Sequence, residues 1–245
     1  MESAIIVVGL GEVGKPLFEI IKEHHKTIGV DIDPVEFHGE CEIMHICFPY
    51  QIPGFVDQCV EYIKKYRPKL TVINSTVSPG TTRAVYNKTG ASVAFSPVRG
   101  KHVKMKQDML YYSKFIGGID EYSSQKAAEH FQSIGLKTRI LSSPEAAELA
   151  KLTETTYFGI LIAWAQEVER YCDQLSVNYD EVYSIFEEIA YLPPVKYFPG
   201  IIGGHCVMPN IKILKESFKS DILDAIEKSN ESKSVREHIL SKREA

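Results

Sequence analysis

Hydrophobic positions fall into two textures along this chain. From Ala4 the sequence runs AIIVVG, turns on glycines, continues with Leu17, Ile20 and Ile21 at helical spacing, and returns to an apolar stretch that ends in Asp31. An apolar run, a glycine turn, an amphipathic stretch and a second apolar run predict a β-α-β unit. Short apolar runs recur at IMHICFP, LTVINST, SVAFSP and KFIGGI, with stretches of helical character such as PGFVDQCVEYIKKY and SSQKAAEHFQSIG between them. Such alternation predicts a mostly parallel sheet covered by helices. Only PVEFHGECE separates the second run from the third, too little for a crossover helix, so an extended link passing over one neighbouring strand is expected. From Pro144 the texture changes. Leu149, Leu152, Ile160, Ala163, Trp164, Val168 and Tyr171 recur at helical spacing, and no proline intervenes before Pro193. The expected architecture is therefore an α/β domain over 1–143 and an all-helical domain with one long helix over 144–245. The closing SNESKSVREHILSKREA reads as a solvated helix or a frayed tail with no assigned function.

Composition narrows the partners. With 245 residues and 44% hydrophobic content the chain can bury a real core. A formal net charge of −4 gives no basic field for nucleic acid or an anionic membrane. No apolar run approaches the roughly 18 residues of a membrane span. Five cysteines without regular spacing, and no signal-peptide pattern after Met1, indicate a reduced, cytoplasmic protein. Small molecules are the expected partners. The long helix bearing Trp164 is a candidate surface for a homodimer.

Gly9, Gly11 and Gly14 form G-x-G-x-x-G between a strand and a helix. Glycines there allow a tight turn and let the backbone of Glu12 and Val13 approach a pyrophosphate at the helix N-terminus. Asp31 closes the next strand, where a carboxylate accepts from a ribose 2′-hydroxyl and repels a 2′-phosphate. The first domain is accordingly expected to be Rossmann-type and to bind NAD rather than NADP. A glycine turn that merely packs tightly is the alternative. Pro49, Ser75 and Thr76 follow later apolar runs and join the candidate cofactor residues.

Four stretches together resemble the UDP-glucose/GDP-mannose dehydrogenase family, within the wider 6-phosphogluconate dehydrogenase-like superfamily. They are VVGLGEVG, NSTVSPGTT, AELAKLTETTY and GGHCVMPN, in that order along the chain. The resemblance implies two successive NAD-dependent oxidations of a sugar-nucleotide alcohol, with Cys206 as the covalent nucleophile. It also implies that Lys151 polarises the reacting oxygen and that Thr76 lies near the nicotinamide. Three positions depart from it. Val98 stands where the family carries the glutamate of thioester hydrolysis, Thr155 where asparagine is usual, and Asn210 where aspartate is usual. The chain also ends soon after the helical segment, so a form lacking the family's second nucleotide-binding domain is expected.

The residues carry their own chemistry beside that resemblance. Pro209 suits the first turn of a helix, which would set Cys206 just ahead of a helix N-terminus, where a thiolate is favoured. The alternative is a small buried apolar cysteine. Lys151 is either a solvated lysine or an acid/base at a domain junction. Arg99, Lys101 and His102 in SPVRGKH form either an anion-binding cluster or an ordinary basic surface. SPVRG and STVSPGTT also resemble β-hydroxyacid dehydrogenases, whose small acidic substrates are bound in this region. Gly204 and His205 complete the candidate substrate residues; His205 is read as structural, and its lone position predicts no metal.

The expected function is NAD-dependent oxidation of the CH–OH group of a small, anionic, sugar-like or hydroxy-acid substrate. Two alternatives remain open: a two-step nucleotide-sugar 6-dehydrogenase, and a non-catalytic NAD-binding regulatory protein.

Overall fold

The computed structural model describes residues 2–33, 35–100, 102–189, 197–204 and 206–241. They form two compact units, Met1–Lys151 and Leu152–Ala245.

In the first unit β1 (Ser3–Val8), α1 (Gly14–Ile21) and β2 (Thr27–Val30) make the expected β-α-β unit. β3 (Glu40–Ile46), α2 (Phe55–Tyr66), β4 (Leu70–Ile73), α3 (Thr81–Thr89) and β5 (Val93–Phe95) continue the alternation. A short 3-10 turn leads into α4 (Met105–Tyr111), followed by β6 (Lys114–Gly118), α5 (Glu121–Ser133) and β7 (Thr138–Ile140). The strands lie in the order β2-β1-β3-β4-β5-β6-β7. All neighbours are parallel except β5 and β6. This is the Rossmann-type, mostly parallel sheet. β2 and β3 flank β1, so the link between them passes over one strand, and residues 35–39 within it carry no helix.

Alternation along β1 explains why its strands read as unbroken apolar runs. Ile5 and Val7 join Leu17, Met109 and Phe131 in one cluster, while Ile6 and Val8 join Met44, Phe55 and Phe95 in another. A sheet buried on both faces selects apolar residues at every position.

The helix expected from Pro144 is present as α6 (Pro144–Leu175). The boundary expected at Ser143 coincides with the start of this helix, whereas the compact units divide after Lys151. The reason is packing. Ala147 belongs to the core of the first unit, and Glu148 is fully buried there against the start of α3. Sequence texture changes where the helix begins, two turns before its contacts change.

The second unit contains the remainder of α6 with α7 (Tyr179–Tyr183), α8 (Val207–Ser217) and α9 (Asp221–Ser241). Through Ser241 the charged closing stretch is regular helix rather than a frayed tail. Its charges also have fixed partners on α6: Lys233 is only 6% exposed and pairs with Glu169, and Arg236 pairs with Asp173. No helix among the described residues is long and apolar enough to cross a membrane.

Candidate functional site

The three glycines of the first turn do different work. A Cβ on Gly9, whose φ is +88°, would stand 2.6 Å from the Phe48 nitrogen, and one on Gly14 would stand 1.7 Å from the Gly9 oxygen. A Cβ on Gly11 would meet nothing within 4 Å. The outer glycines close the turn, and the middle one leaves its outer side open to an approaching group. No side chain caps α1 at Val13 and no acid stands in its first turn, so the positive end of the helix keeps its full attraction for an anion. Val30 pairs with Val8 in the β1–β2 register, which brings the exposed Asp31 alongside Gly9 at the same end of the sheet. This donor set, open glycine and carboxylate fit a dinucleotide. Ile32, 95% exposed next to Asp31, was missed by sequence reading because a lone isoleucine after a strand carries no pattern.

Pro49 follows β3 and Ser75–Thr76 follow β4, the next two strands beyond β1, so all three lie at the end of the sheet that carries the glycine turn. Pro49 is exposed and Thr76 half-buried. The Ser75 hydroxyl donates to the Phe48 carbonyl at 2.6 Å, which ties the loop after β4 to the loop after β3.

The loop after β5 carries Val98 and Arg99. Val98 is buried in the core cluster that includes Val7 and Met105, so the position at which the resemblance implies a glutamate faces the interior here. The Arg99 guanidinium lies over two rings, 5.1 Å from the centre of Tyr112 and 5.4 Å from that of Phe115. Arg139 approaches the same Phe115 ring at 5.7 Å. Lys101, His205 and the side chain of His102 lie outside the described residues, so the expected cluster is represented by Arg99.

Glu148 and Lys114 are among the buried ionisable groups of the first unit that escaped the sequence reading. Glu148 accepts from the Gly80 nitrogen at 2.6 Å, the Thr82 nitrogen at 2.9 Å and the Thr82 hydroxyl at 2.7 Å. Burial pushes its carboxyl up to about 7, against the pull of these donors. It anchors the turn of α6 that also carries the half-buried Lys151. Lys114, at the start of β6, is 3% exposed, and burial draws its ammonium down to about 7. Each is a common surface residue type, and nothing in its local spacing signals burial.

In the second unit Cys206 is the exposed N-cap of α8, as expected from Pro209 in the first turn. Asn210, one turn on, is 5% exposed and donates to the Thr155 hydroxyl at 2.8 Å. Two residues 55 apart in sequence that were singled out separately are thus in direct contact. The loop before Cys206 is held from two helices. Asn230 of α9 accepts from the Ile202 nitrogen at 2.7 Å and donates to its carbonyl at 3.1 Å. Gln166 of α6 donates to the Gly200 carbonyl at 2.8 Å. Gly204, with φ +79°, supplies the left-handed turn that leads toward Cys206.

Residues 145–232 match the central domain of the UDP-glucose/GDP-mannose dehydrogenase family. The chain is 30% identical to the UDP-N-acetyl-D-mannosamine dehydrogenase of Methanocaldococcus jannaschii, over 62% of this chain and 37% of that protein. It is 27% identical to the enzyme of the same name from Methanococcus vannielii, over 83% of this chain and 59% of that protein. This chain therefore spans between about a third and three-fifths of the length of these relatives. Among solved structures, the UDP-D-ManNAc dehydrogenase of Pyrococcus horikoshii superposes with a TM-score of 0.81 at 22% identity, covering 93% of this chain and 68% of that one. A 3-hydroxyisobutyrate dehydrogenase of Mycobacterium tuberculosis superposes with a TM-score of 0.72 at 15% identity, covering 94% of both chains. Both structures share the fold.

Proposed function

We propose that this chain is the cofactor-binding and catalytic part of an NAD-dependent dehydrogenase that oxidises the alcohol carbon of a sugar-like, anionic substrate. The observation that carries the reading is the glycine turn: Gly9 and Gly14 are packed shut, Gly11 is open, and Asp31 stands beside Gly9. In this reading the backbone at Gly11, Glu12 and Val13 holds the pyrophosphate, and Asp31 accepts from the adenosine ribose. Bound NAD would supply the hydride acceptor. Pro49, Ser75 and Thr76 line the nicotinamide side. Lys151 takes the hydroxyl proton or polarises the oxygen as the carbonyl forms. Arg99 clamps a carboxylate or phosphate of the substrate, and Lys101, His102, Gly204 and His205 are the further substrate residues of this reading. Cys206, exposed at a helix N-terminus, is the thiol that this reading assigns to the reaction.

The names of the relatives support a nucleotide sugar as the form of that substrate. Asn210 bonded to Thr155, and Val98 turned into the core, support one oxidation rather than two, because none of the three can serve as a base for hydrolysing a thioester. Two copies pairing through α6 is part of the proposal, supported by the exposure of Trp164 and Ile160 on that helix.

The deciding experiment follows NADH formation with UDP-N-acetyl-D-mannosamine and with short hydroxy acids, alongside calorimetry of NAD alone. Turnover on either class sustains the reading and selects the substrate. Absence of NAD binding overturns it, and binding without any turnover favours a non-catalytic NAD-binding protein.

A further inference from the structure

We propose that Lys114 is a positioning residue, which ties the loop carrying Ser75 and Thr76 to the loop carrying Arg99 and thereby sets the spacing between the cofactor side and the anion-binding side of the site. This rests on the roles proposed above for Thr76 and Arg99. The Lys114 ammonium donates to the Ser96 carbonyl at 2.7 Å, to the Pro97 carbonyl at 3.0 Å and to the Asn74 side-chain oxygen at 3.3 Å. Ser96 and Pro97 lead directly into Val98 and Arg99, and Asn74 leads directly into Ser75 and Thr76. β4 and β5 are neighbours, so the two loops leave the sheet side by side and Lys114 bridges them from beneath.

The polarity of the network follows from what each group can do. Lysine only donates, so the oxygen of Asn74 must face it and the amide nitrogen must face away. That nitrogen donates to the Val72 carbonyl at 3.0 Å and meets Nδ1 of His45 at 3.1 Å. Nδ1 of His45 therefore accepts, and its proton sits on Nε2, which meets Nε2 of His130 at 3.0 Å. His130 accepts there in turn. Each member is fixed by the one before it, and the arrangement is satisfied only with both histidines neutral. Burial holds them so, drawing His45 well below its usual range and His130 down to about 3.

Three carbonyl-type acceptors require three N–H donors, which the ammonium has and the neutral amine lacks. The groups facing Lys114 supply no negative charge near neutrality. They are Asn74 just after β4, His45 and Cys47 from β3 and its end, His130 and the Phe131 ring from α5, and Lys151 from α6. Cys47 remains a thiol, its ionisation pushed up to about 12 by burial. Burial, with Lys151 adding its repulsion, places the loss of the third donor near neutral pH. Above it the tie between the two loops weakens by one hydrogen bond.

Amide hydrogen exchange on the intact chain tests this without needing a substrate. With intrinsic exchange corrected, protection of amides in the loop over residues 96–100 should fall roughly tenfold as pH rises through about 7, the weight of one hydrogen bond to a charged donor, while α1 and α2 stay constant. Lys114→Met should show low, pH-independent protection there, and Lys137→Met, which removes an exposed lysine, should titrate as the unaltered chain does. Flat protection in the unaltered chain, or a loosening spread equally over the whole sheet, overturns the proposal. If Lys114→Met does not fold, the titration of the unaltered chain still decides. Where turnover is found, KM should rise over the same pH range more than kcat changes. A chain that shows the exchange signature without turnover would keep the tie and discard the dehydrogenase reading.

Discussion

Asn210 donates its side-chain amide to the hydroxyl of Thr155 at 2.8 Å, and that hydroxyl donates onward to the Leu152 carbonyl at 3.0 Å. Both residues are neutral, and the Thr155 hydroxyl accepts from Asn210 and donates to the backbone of α6. Neither can take a proton from water near neutral pH. The expected consequence is one NADH formed per substrate consumed, with a carbonyl product. Lys151→Ala should lower kcat by roughly 10²–10⁴, the range for loss of a general acid or base, and Cys206→Ser should retain partial activity. Two NADH per substrate, with a covalent adduct on Cys206, would restore a double oxidation.

Asp31 is exposed, adjoins Gly9 and has no basic residue among its immediate neighbours in sequence. Calorimetry should find NAD bound more tightly than NADP. Asp31→Ser should narrow the gap by roughly tenfold or more, because the repulsion of a 2′-phosphate is removed. An unchanged ratio would take Asp31 out of the site.

Glu148 offers a sharper test of how α6 is attached to the first unit. Its two oxygens accept from Gly80 and Thr82, so Glu148→Gln must turn an NH₂ group toward at least one of these donors. The substitution should destabilise the unit by about 1–3 kcal/mol, the cost of leaving a buried donor unsatisfied. Urea unfolding measures it. Turnover should fall with it, since Lys151 lies one turn further along the helix. A neutral effect on both would mean that Glu148 does not hold α6 in place.

The contrast between these residues and the glycine turn shows where a sequence speaks. Strands buried on both faces must be apolar throughout, so AIIVVG and LTVINST announce themselves, and the absence of proline from 145 to 192 makes α6 plain. The turn is legible because only glycine fits at Gly9 and Gly14. Lys114, His45 and His130 are silent because their partners come from distant elements: the two histidines meet across 85 residues. Glu148 sits in a helix rich in glutamate, where one buried carboxylate looks like its solvated neighbours. Asn230 was lost in a charged run for the same reason. Pattern reports what a residue's own element requires, whereas these side chains answer to elements far away in the chain.

The same histidines give the first unit an acid limb. Both are held neutral by burial, with folded values below the ordinary 6.5 of an unfolded histidine. As pH falls below about 6.5 the unfolded chain binds protons that the folded chain refuses, so stability is lost. Each histidine should contribute up to about 1.4 kcal/mol per pH unit. Lys114 acts in the opposite range. Its folded value near 7 lies below the unfolded 10.5, so stability should rise as pH increases from about 7 toward 10. Glu148, raised to about 7, offsets part of the acid limb, so chemical denaturation should slope upward below about 6.5 by the two histidines less this one carboxyl, and upward again above neutrality. His45→Leu/His130→Leu should flatten the acid limb while leaving the alkaline limb in place. An acid limb as steep in that variant would assign it to other groups.

The loop before Cys206 invites the last test. Asn230 holds the Ile202 backbone by both its nitrogen and its carbonyl, a pairing that resembles one rung of a sheet. Asn230→Ala removes both bonds and leaves the Ile202 nitrogen to find water, whereas Asn230→Asp keeps the acceptor and loses the donor. The reading that this clamp orders the approach to Cys206 predicts graded effects: iodoacetamide should modify Cys206 several-fold faster in the alanine variant, with the aspartate variant between it and the unaltered chain. Ser229 and Lys233 flank Asn230 on α9 and bond to Gln166 and Glu169 of α6, so the helix itself stays docked and the change is confined to the loop. Alkylation rates equal in all three would show that the loop orders itself through Gly204 and the N-terminus of α8, with Asn230 serving α9 alone.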